Sequence, residues 1–191
     1  MAGRQAKVLS DLDVKQLLAL ARASRYPNRN RVIVLVSIKA GLRAGEIAKL
    51  TWPMVLSASG EVSTSIELED RIAKKRGGRR IPIHADLRAA LIALLRNSSG
   101  DGPVVRSERD GHMTPVSIVN WFANAYRAIG ADGCSSHSGR RTFITRAARA
   151  VHKAGGSLRD VQLLAGHRSM LTTQRYIDGD SDAQRRLVAM I

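Results

Sequence analysis

Apolar residues first fall into helical spacing at Val14, Leu17, Leu18 and Ala21, behind a Ser10/Asp13 pair that has the form of a capping box. Pro27, with Asn28 and Asn30, is expected to break that helix. A second helix is predicted over about 31–40, where residues 32–36 are continuously apolar, with Gly41 as a left-handed stop. The stretch 42–50 reads as a short third helix. Beyond the turn marked by Pro53 and Gly60, segments 62–68 and 80–83 have strand character around a basic connection at 74–79, which predicts a β-hairpin. Helical patterning returns over about 86–96, 115–129 behind Thr114, 137–153, and 158–164 behind a second capping box of Ser157 and Asp160. Shorter helices are predicted at 171–177 and 182–190, on either side of Gly179.

The expected fold class is therefore mainly α with one small antiparallel β-hairpin. No internal repeat, low-complexity tract or long linker divides the sequence. The expected organisation is a basic lead-in at 1–9, one domain at 10–178 and a tail helix within 179–191. A chain of 191 residues can bury roughly 70% of the surface its unfolded form exposes, enough for a sizeable core.

Composition narrows the function. Lysine plus arginine number 31 against 16 aspartate plus glutamate, for a net charge of +15, and the excess is spread through the folded segments. A polyanion is the natural partner, and binding by counterion release should weaken steeply with salt. A membrane surface fits less well, because no helix combines a lysine-rich face with bulky aromatics. The run at 32–36 is far too short to span a bilayer, and the N-terminus lacks a signal-peptide layout, so a cytoplasmic setting is expected. One cysteine excludes an intramolecular disulfide and a cysteine-rich zinc site. The five histidines lack metal-ligand spacing, so neither metal nor cofactor is expected.

Four segments carry candidate chemistry: GLRAGEIAKL at 41–50, KKRGGRRIPI at 74–83, HSGRRTF at 137–143 and GHRSMLTTQRY at 166–176. Jointly, in this order and at these intervals, they resemble the phage integrase, or tyrosine recombinase, family. The resemblance runs through nearly the whole chain from Leu9 onward. It implies the tyrosine recombinase catalytic-domain fold and an enzyme that cuts and rejoins double-stranded DNA through a 3′-phosphotyrosine, without metal or ATP. Chemistry supplies the reason for the residue types. In-line attack on a phosphodiester gathers charge on the non-bridging oxygens, which a metal-free site must meet with fixed cations.

By that resemblance Arg43 and Arg140 clamp the scissile phosphate, suited to it by planar forks that stay charged. Tyr176 is the nucleophile. A phenol with a reference pKa of about 10 is barely ionised at neutral pH, so neighbouring Arg140, His137 and His167 are expected to favour the phenolate. His137 and Arg140, three residues apart, would share one helix face. His167, nine residues before Tyr176, would bond a phosphate oxygen. Lys74 is the expected general acid for the departing 5′-oxygen, with Lys75 as its rival should the hairpin register shift by one. Glu46 is expected to orient Arg43, and Lys75, Arg76, Arg79, Arg141 and Arg168 to contact DNA. Of the other tyrosines, Tyr126 has core spacing with Val119, Phe122 and Ile129, and Tyr26 lies in a Pro/Asn-rich loop.

Two positions depart from the family pattern. Leu commonly precedes the second arginine and His follows it, whereas Gly139 and Arg141 stand here. The short lead-in further resembles either bacterial invertases of the fimbrial-switch type or an excised catalytic domain. The resemblance also implies a homotetramer on two DNA sites, joined through the apolar tail, and an accessory DNA-bending protein. The competing functions are a type IB topoisomerase-like nicking and resealing enzyme, and a non-catalytic DNA-binding relative.

Overall fold

The computed structural model describes residues 6–70, 78–176 and 188–191. Along the described chain run α1 (Asp11–Arg22), α2 (Pro27–Lys39), α3 (Ala44–Lys49), a 3-10 turn (Trp52–Met54), β1 (Ser65–Leu68) and β2 (Arg79–Pro82). They are followed by α4 (Ala85–Leu95), α5 (Pro115–Ala128), α6 (Ser138–Ala150), α7 (Leu158–Ala165) and α8 (Met170–Gln174).

Helix α2 is the centre of the molecule, with α1, α4 and α6 packed around it. Residues Val32, Ile33, Val34, Leu35, Val36, Ser37 and Ile38 are all buried, so this helix has almost no polar face. Each aliphatic side chain among them contributes on the order of 1.5–3 kcal/mol by leaving water. Pro27 has a second role beside ending α1. It occupies the first turn of α2, where a missing N–H costs nothing and a fixed φ is already helical, so α2 begins four residues earlier than periodicity predicts.

Both predicted capping boxes form. The Ser10 hydroxyl accepts from the Asp13 N–H at 3.1 Å while the Asp13 carboxylate accepts from the Ser10 N–H at 2.8 Å, and Ser157 with Asp160 repeats the exchange at the start of α7. Thr114 caps α5 through the Ser117 N–H at 3.0 Å. The lead-in is tied down where it meets the domain: Leu9 is buried, and its N–H donates to Thr142 Oγ1 on α6 at 2.8 Å.

The hairpin is shorter than predicted. Strands β1 and β2 pair antiparallel from Ser65 opposite Pro82 to Leu68 opposite Arg79. Ile66 and Ile81 face the core, while Glu67 and Arg80 form an outward ion pair at 2.8 Å. Val62 instead makes an isolated bridge with Leu56. Lys74, Lys75 and Arg76, and the tail helix apart from residues 188–191, lie outside the described residues.

Most buried side chains belong to one large cluster centred on α2. A second, smaller one joins Ile144, Ala148 and Val151 of the α6 region to Val161 and Ala165 of α7, with Tyr176 packed against it. The mainly α architecture with a two-stranded sheet agrees with the expected fold class. Tyr126 packs in the core as its spacing predicts, 2% exposed and stacked on Phe122 at 5.8 Å.

Candidate active site

Where the two clusters meet, a cleft of about 450 Å³ opens, lined by Ala6, Arg43, His137, Arg140, Arg141, His167, Thr172, Arg175 and Tyr176. Five residues predicted from distant segments as catalytic thus converge on one cavity, brought there by α3, α6, the α7–α8 turn and the residues after α8.

Arg43 precedes α3 rather than lying inside the predicted 42–50 helix. Gly41 adopts a φ of 65° after α2, and Arg43 remains extended as the N-cap of α3. Glu46 reaches back to the Arg43 N–H at 2.9 Å and accepts from its guanidinium at 2.8 Å, which fixes the direction of the fork.

Arg140 is 4% exposed. One Nη donates to the Gly41 carbonyl at 2.6 Å and the other to the Ala165 carbonyl at 2.5 Å, so the side chain bridges the α2–α3 turn and the end of α7. Burial, and then the neighbouring Arg43 charge, press its pKa down to about 9. It remains a cation at neutral pH.

His167 sits on a turn made by its own glycine. Gly166 ends α7 in the left-handed region with a φ of 61°, and a Cβ there would lie 3.0 Å from the Arg79 side chain. The buried Gln162 holds His167 from both sides, accepting from its N–H at 3.0 Å and donating to its carbonyl at 2.9 Å. Its Nδ1 meets Thr173 Oγ1 at 3.0 Å. Burial first, then the charges of Arg140, Arg43 and Arg79, lower the His167 pKa to about 4, so the ring is neutral at physiological pH.

Tyr176 follows α8 half-buried. Its ring stacks on His167 with centroids 5.5 Å apart and planes 22° apart, and the Arg141 guanidinium carbon lies 5.7 Å from its centroid. Arg141, the departure from the family pattern, therefore meets the tyrosine ring as well as the cleft. The other departure is steric. Gly139 lies on α6 against α2, and a Cβ there would collide with the Ser37 hydroxyl.

Arg79, assigned to DNA by the charge of its segment, has only 6% of its side chain exposed and does not line the cleft. It donates to Glu46 Oε1 at 3.0 Å, to Glu46 Oε2 at 3.1 Å and to the Leu164 carbonyl at 2.9 Å. Burial opposes the Glu46 charge, but Arg79 and then Arg43 outweigh it and hold the carboxyl down at about 2. Arg168 is exposed and outside the cleft lining. Sequence reasoning missed Thr172 and Arg175, although Thr172 stands one helical turn before Tyr176. Among the described residues, no group of three or more His, Cys, Asp or Glu could hold a metal ion, and no helix is long and apolar enough to cross a membrane.

Several known proteins are similar to this chain in sequence or in architecture. Tyrosine recombinase XerC of Erythrobacter litoralis (strain HTCC2594) is 28% identical over 192 residues, covering 97% of this chain and 58% of the recombinase. XerC of Rhizobium meliloti (strain 1021) is 29% identical over 92% of this chain and 54% of its own length. The chain thus spans little more than half the length of the curated relatives it matches. The crystal structure of XerA recombinase superposes over 100% of this chain and 65% of its own, with a TM-score of 0.71 at 23% identity. The Tn1549 transposon integrase, in complex with a circular intermediate DNA, does so over 100% and 67% with a TM-score of 0.74 at 17% identity. Since the sequence profile of the phage integrase family matches residues 7–182, almost the whole domain just described, the chain belongs to that family.

Proposed function

We propose that this chain carries the catalytic centre of a site-specific DNA recombinase, with Tyr176 as nucleophile and double-stranded DNA as substrate. The observation that carries the reading is the one cleft lined by Arg43, His137, Arg140, His167 and Tyr176, with the tyrosine ring stacked on His167. Family membership and the DNA complex of the Tn1549 integrase support it.

The scissile phosphate would enter between Arg43 and Arg140. The Tyr176 oxygen attacks phosphorus, its proton passing to the His137 imidazole, and the bond from phosphorus to the 5′-oxygen breaks. That oxygen takes a proton from a general acid, for which the sequence offers Lys74. The products are a 3′-phosphotyrosine and a free 5′-hydroxyl, and attack by a 5′-hydroxyl from a second duplex reverses the chemistry with strands exchanged. Charge gathered on the non-bridging oxygens is met by two forks whose directions are fixed beforehand by Glu46 and by backbone carbonyls. If the Thr173 hydroxyl donates to His167 Nδ1, the neutral ring carries its proton on Nε2 and offers it to a phosphate oxygen. Four protomers on two DNA sites, joined through the tail, and an accessory DNA-bending protein complete the proposal.

The test is a nicked suicide duplex carrying a candidate site, incubated with wild type and with Tyr176→Phe and run on a denaturing gel. A covalent protein–DNA adduct that survives EDTA and needs Tyr176 supports the reading. Equal adduct from both proteins refutes it. Strand exchange between two duplexes separates a recombinase from a topoisomerase-like enzyme, which relaxes plasmids without a partner site.

A further inference from the structure

The residues beneath the cleft carry a further assignment, which rests on the recombinase reading above. We propose that Arg79 is a positioning residue for strand cleavage: it acts from below the floor of the cleft, through Glu46 on Arg43 and through the α7 terminus on His167, and does not bind DNA.

Glu46 is 2% exposed, and its two oxygens are shared between two arginines. Oε1 accepts from Arg43 at 2.8 Å and from Arg79 at 3.0 Å, while Oε2 accepts from the Arg43 backbone at 2.9 Å and from Arg79 at 3.1 Å. The carboxylate can therefore aim Arg43 only while it stays charged and its plane is held. Arg79 supplies both conditions, because its bidentate fork sets the plane and its charge offsets burial. Arg43 alone, with 26% of its side chain exposed, offers the carboxylate one guanidinium bond, which does not fix its plane.

The second arm reaches the histidine turn. Arg79 Nε donates to the Leu164 carbonyl in the last turn of α7, and its Cδ and Nη1 fill the space where a Cβ on Gly166 would stand. The same side chain therefore touches both structures that present Arg43 and His167 to the cleft, and it belongs to a third element, β2. Lysine cannot replace it. An ammonium has the charge but not the planar fork needed to meet both Glu46 oxygens and a carbonyl at once.

The experiment compares Arg79→Met, Arg79→Lys and Arg79→Met/Glu46→Gln with wild type on the suicide duplex, measuring DNA affinity, its salt dependence and the adduct rate at saturating DNA. The expected result for Arg79→Met is affinity within about threefold of wild type and an unchanged salt slope. Its adduct rate at saturation should fall about 100-fold, the scale of one lost preorganised charge contact, and Arg79→Lys should recover at most a tenth of the loss.

A pH profile separates positioning from general support of the fold. Facing Glu46 are Arg43 on its own element, Arg79 on β2 and the Arg140 charge on α6. Without Arg79, burial should raise the Glu46 pKa, so Arg79→Met should begin to lose rate at a higher pH than wild type. The double variant should lack that displacement. Recovery of the wild-type rate at saturating DNA, or a salt slope reduced by about one, would overturn the proposal in favour of a DNA contact. If Arg79→Met fails to fold, Arg79→Lys with a wild-type saturated rate is equally decisive against it. Absence of adduct from wild type as well would overturn the recombinase reading together with this one, whereas normal wild-type adduct with undiminished variants would overturn only this one.

Discussion

Protonating His167 should cost the folded chain stability over a window that lies mostly above the ordinary carboxylate range. Its ordinary pKa of 6.5 is lowered to about 4 by burial and by the charges of Arg140, Arg43 and Arg79. As pH falls through 6.5 the unfolded chain takes up a proton that the native ring refuses, so stability drops from there down to about pH 4 and not further. For a fully buried ring the drop would be about 3 kcal/mol, at about 1.4 kcal/mol per pKa unit. His167 is half-buried, and solvent screening reduces the expected cost to about 1–2 kcal/mol. Urea melts of wild type and His167→Gln at pH 7 and pH 4.5 measure it, because only the wild type carries this proton. The stability difference between the two proteins should shift by about 1 kcal/mol or more against wild type at the lower pH. Glu46, held down at about 2, begins to lose its contribution around its ordinary 4.5, at the lower end of the window, and that loss is common to both proteins and cancels in their difference. A difference that does not change with pH would refute the electrostatic account of His167, and with it the neutral histidine at the phosphate. Arg43→Gln, by removing one of the charges, should narrow the window.

Further outcomes are expected elsewhere in the site. Gly166→Ala should destabilise the fold by about 2 kcal/mol, from the left-handed backbone and the Arg79 contact together, and should slow adduct formation on the suicide duplex. Gly139→Leu, which restores the residue more usual in the family, should cost about 3 kcal/mol or more in a urea melt by overpacking Ser37, with Ser37→Gly in the same chain recovering part of it. Arg141→Ala should lower the adduct rate about three- to fivefold, the worth of a cation near an aromatic ring at a half-exposed site. Deleting residues 183–191 should leave DNA binding in a mobility-shift assay intact while abolishing the four-protomer complex.

Local signals in this chain were legible where the physics is local. The Ser10/Asp13 and Ser157/Asp160 boxes, the Thr114 cap and the Gly41 stop each involve atoms within a few residues, and all four form as predicted. Helix α2 was legible as a hydrophobic run but not in its start, because Pro27 satisfies the rules for ending one helix and opening the next. Helix α3 was overextended at its start, since only the reach of Glu46 back to Arg43 reveals the N-cap. The family motifs named the residues that meet in the cleft, yet charge alone assigned Arg79 to DNA and gave no sign of its bonds to Glu46. What places that guanidinium inside the molecule is Glu46, 33 positions earlier, together with the end of α7. No pattern within its own segment records that tertiary pairing.

Arg140 has two obligations at once, and this bears on how such a gene would decay. The side chain that would grip the phosphate also ties the turn after α2 to the end of α7, across the seam between the two hydrophobic clusters. Losing it leaves two buried carbonyls without a donor, at about 1–3 kcal/mol each. A lineage released from selection for DNA cleavage would still be punished for changing that codon. Tyr176 carries no comparable structural burden and would be free to drift first. Silent descendants of this chain should therefore be recognisable by an intact Arg140 beside a replaced Tyr176, the signature of a scaffold kept after its chemistry has gone.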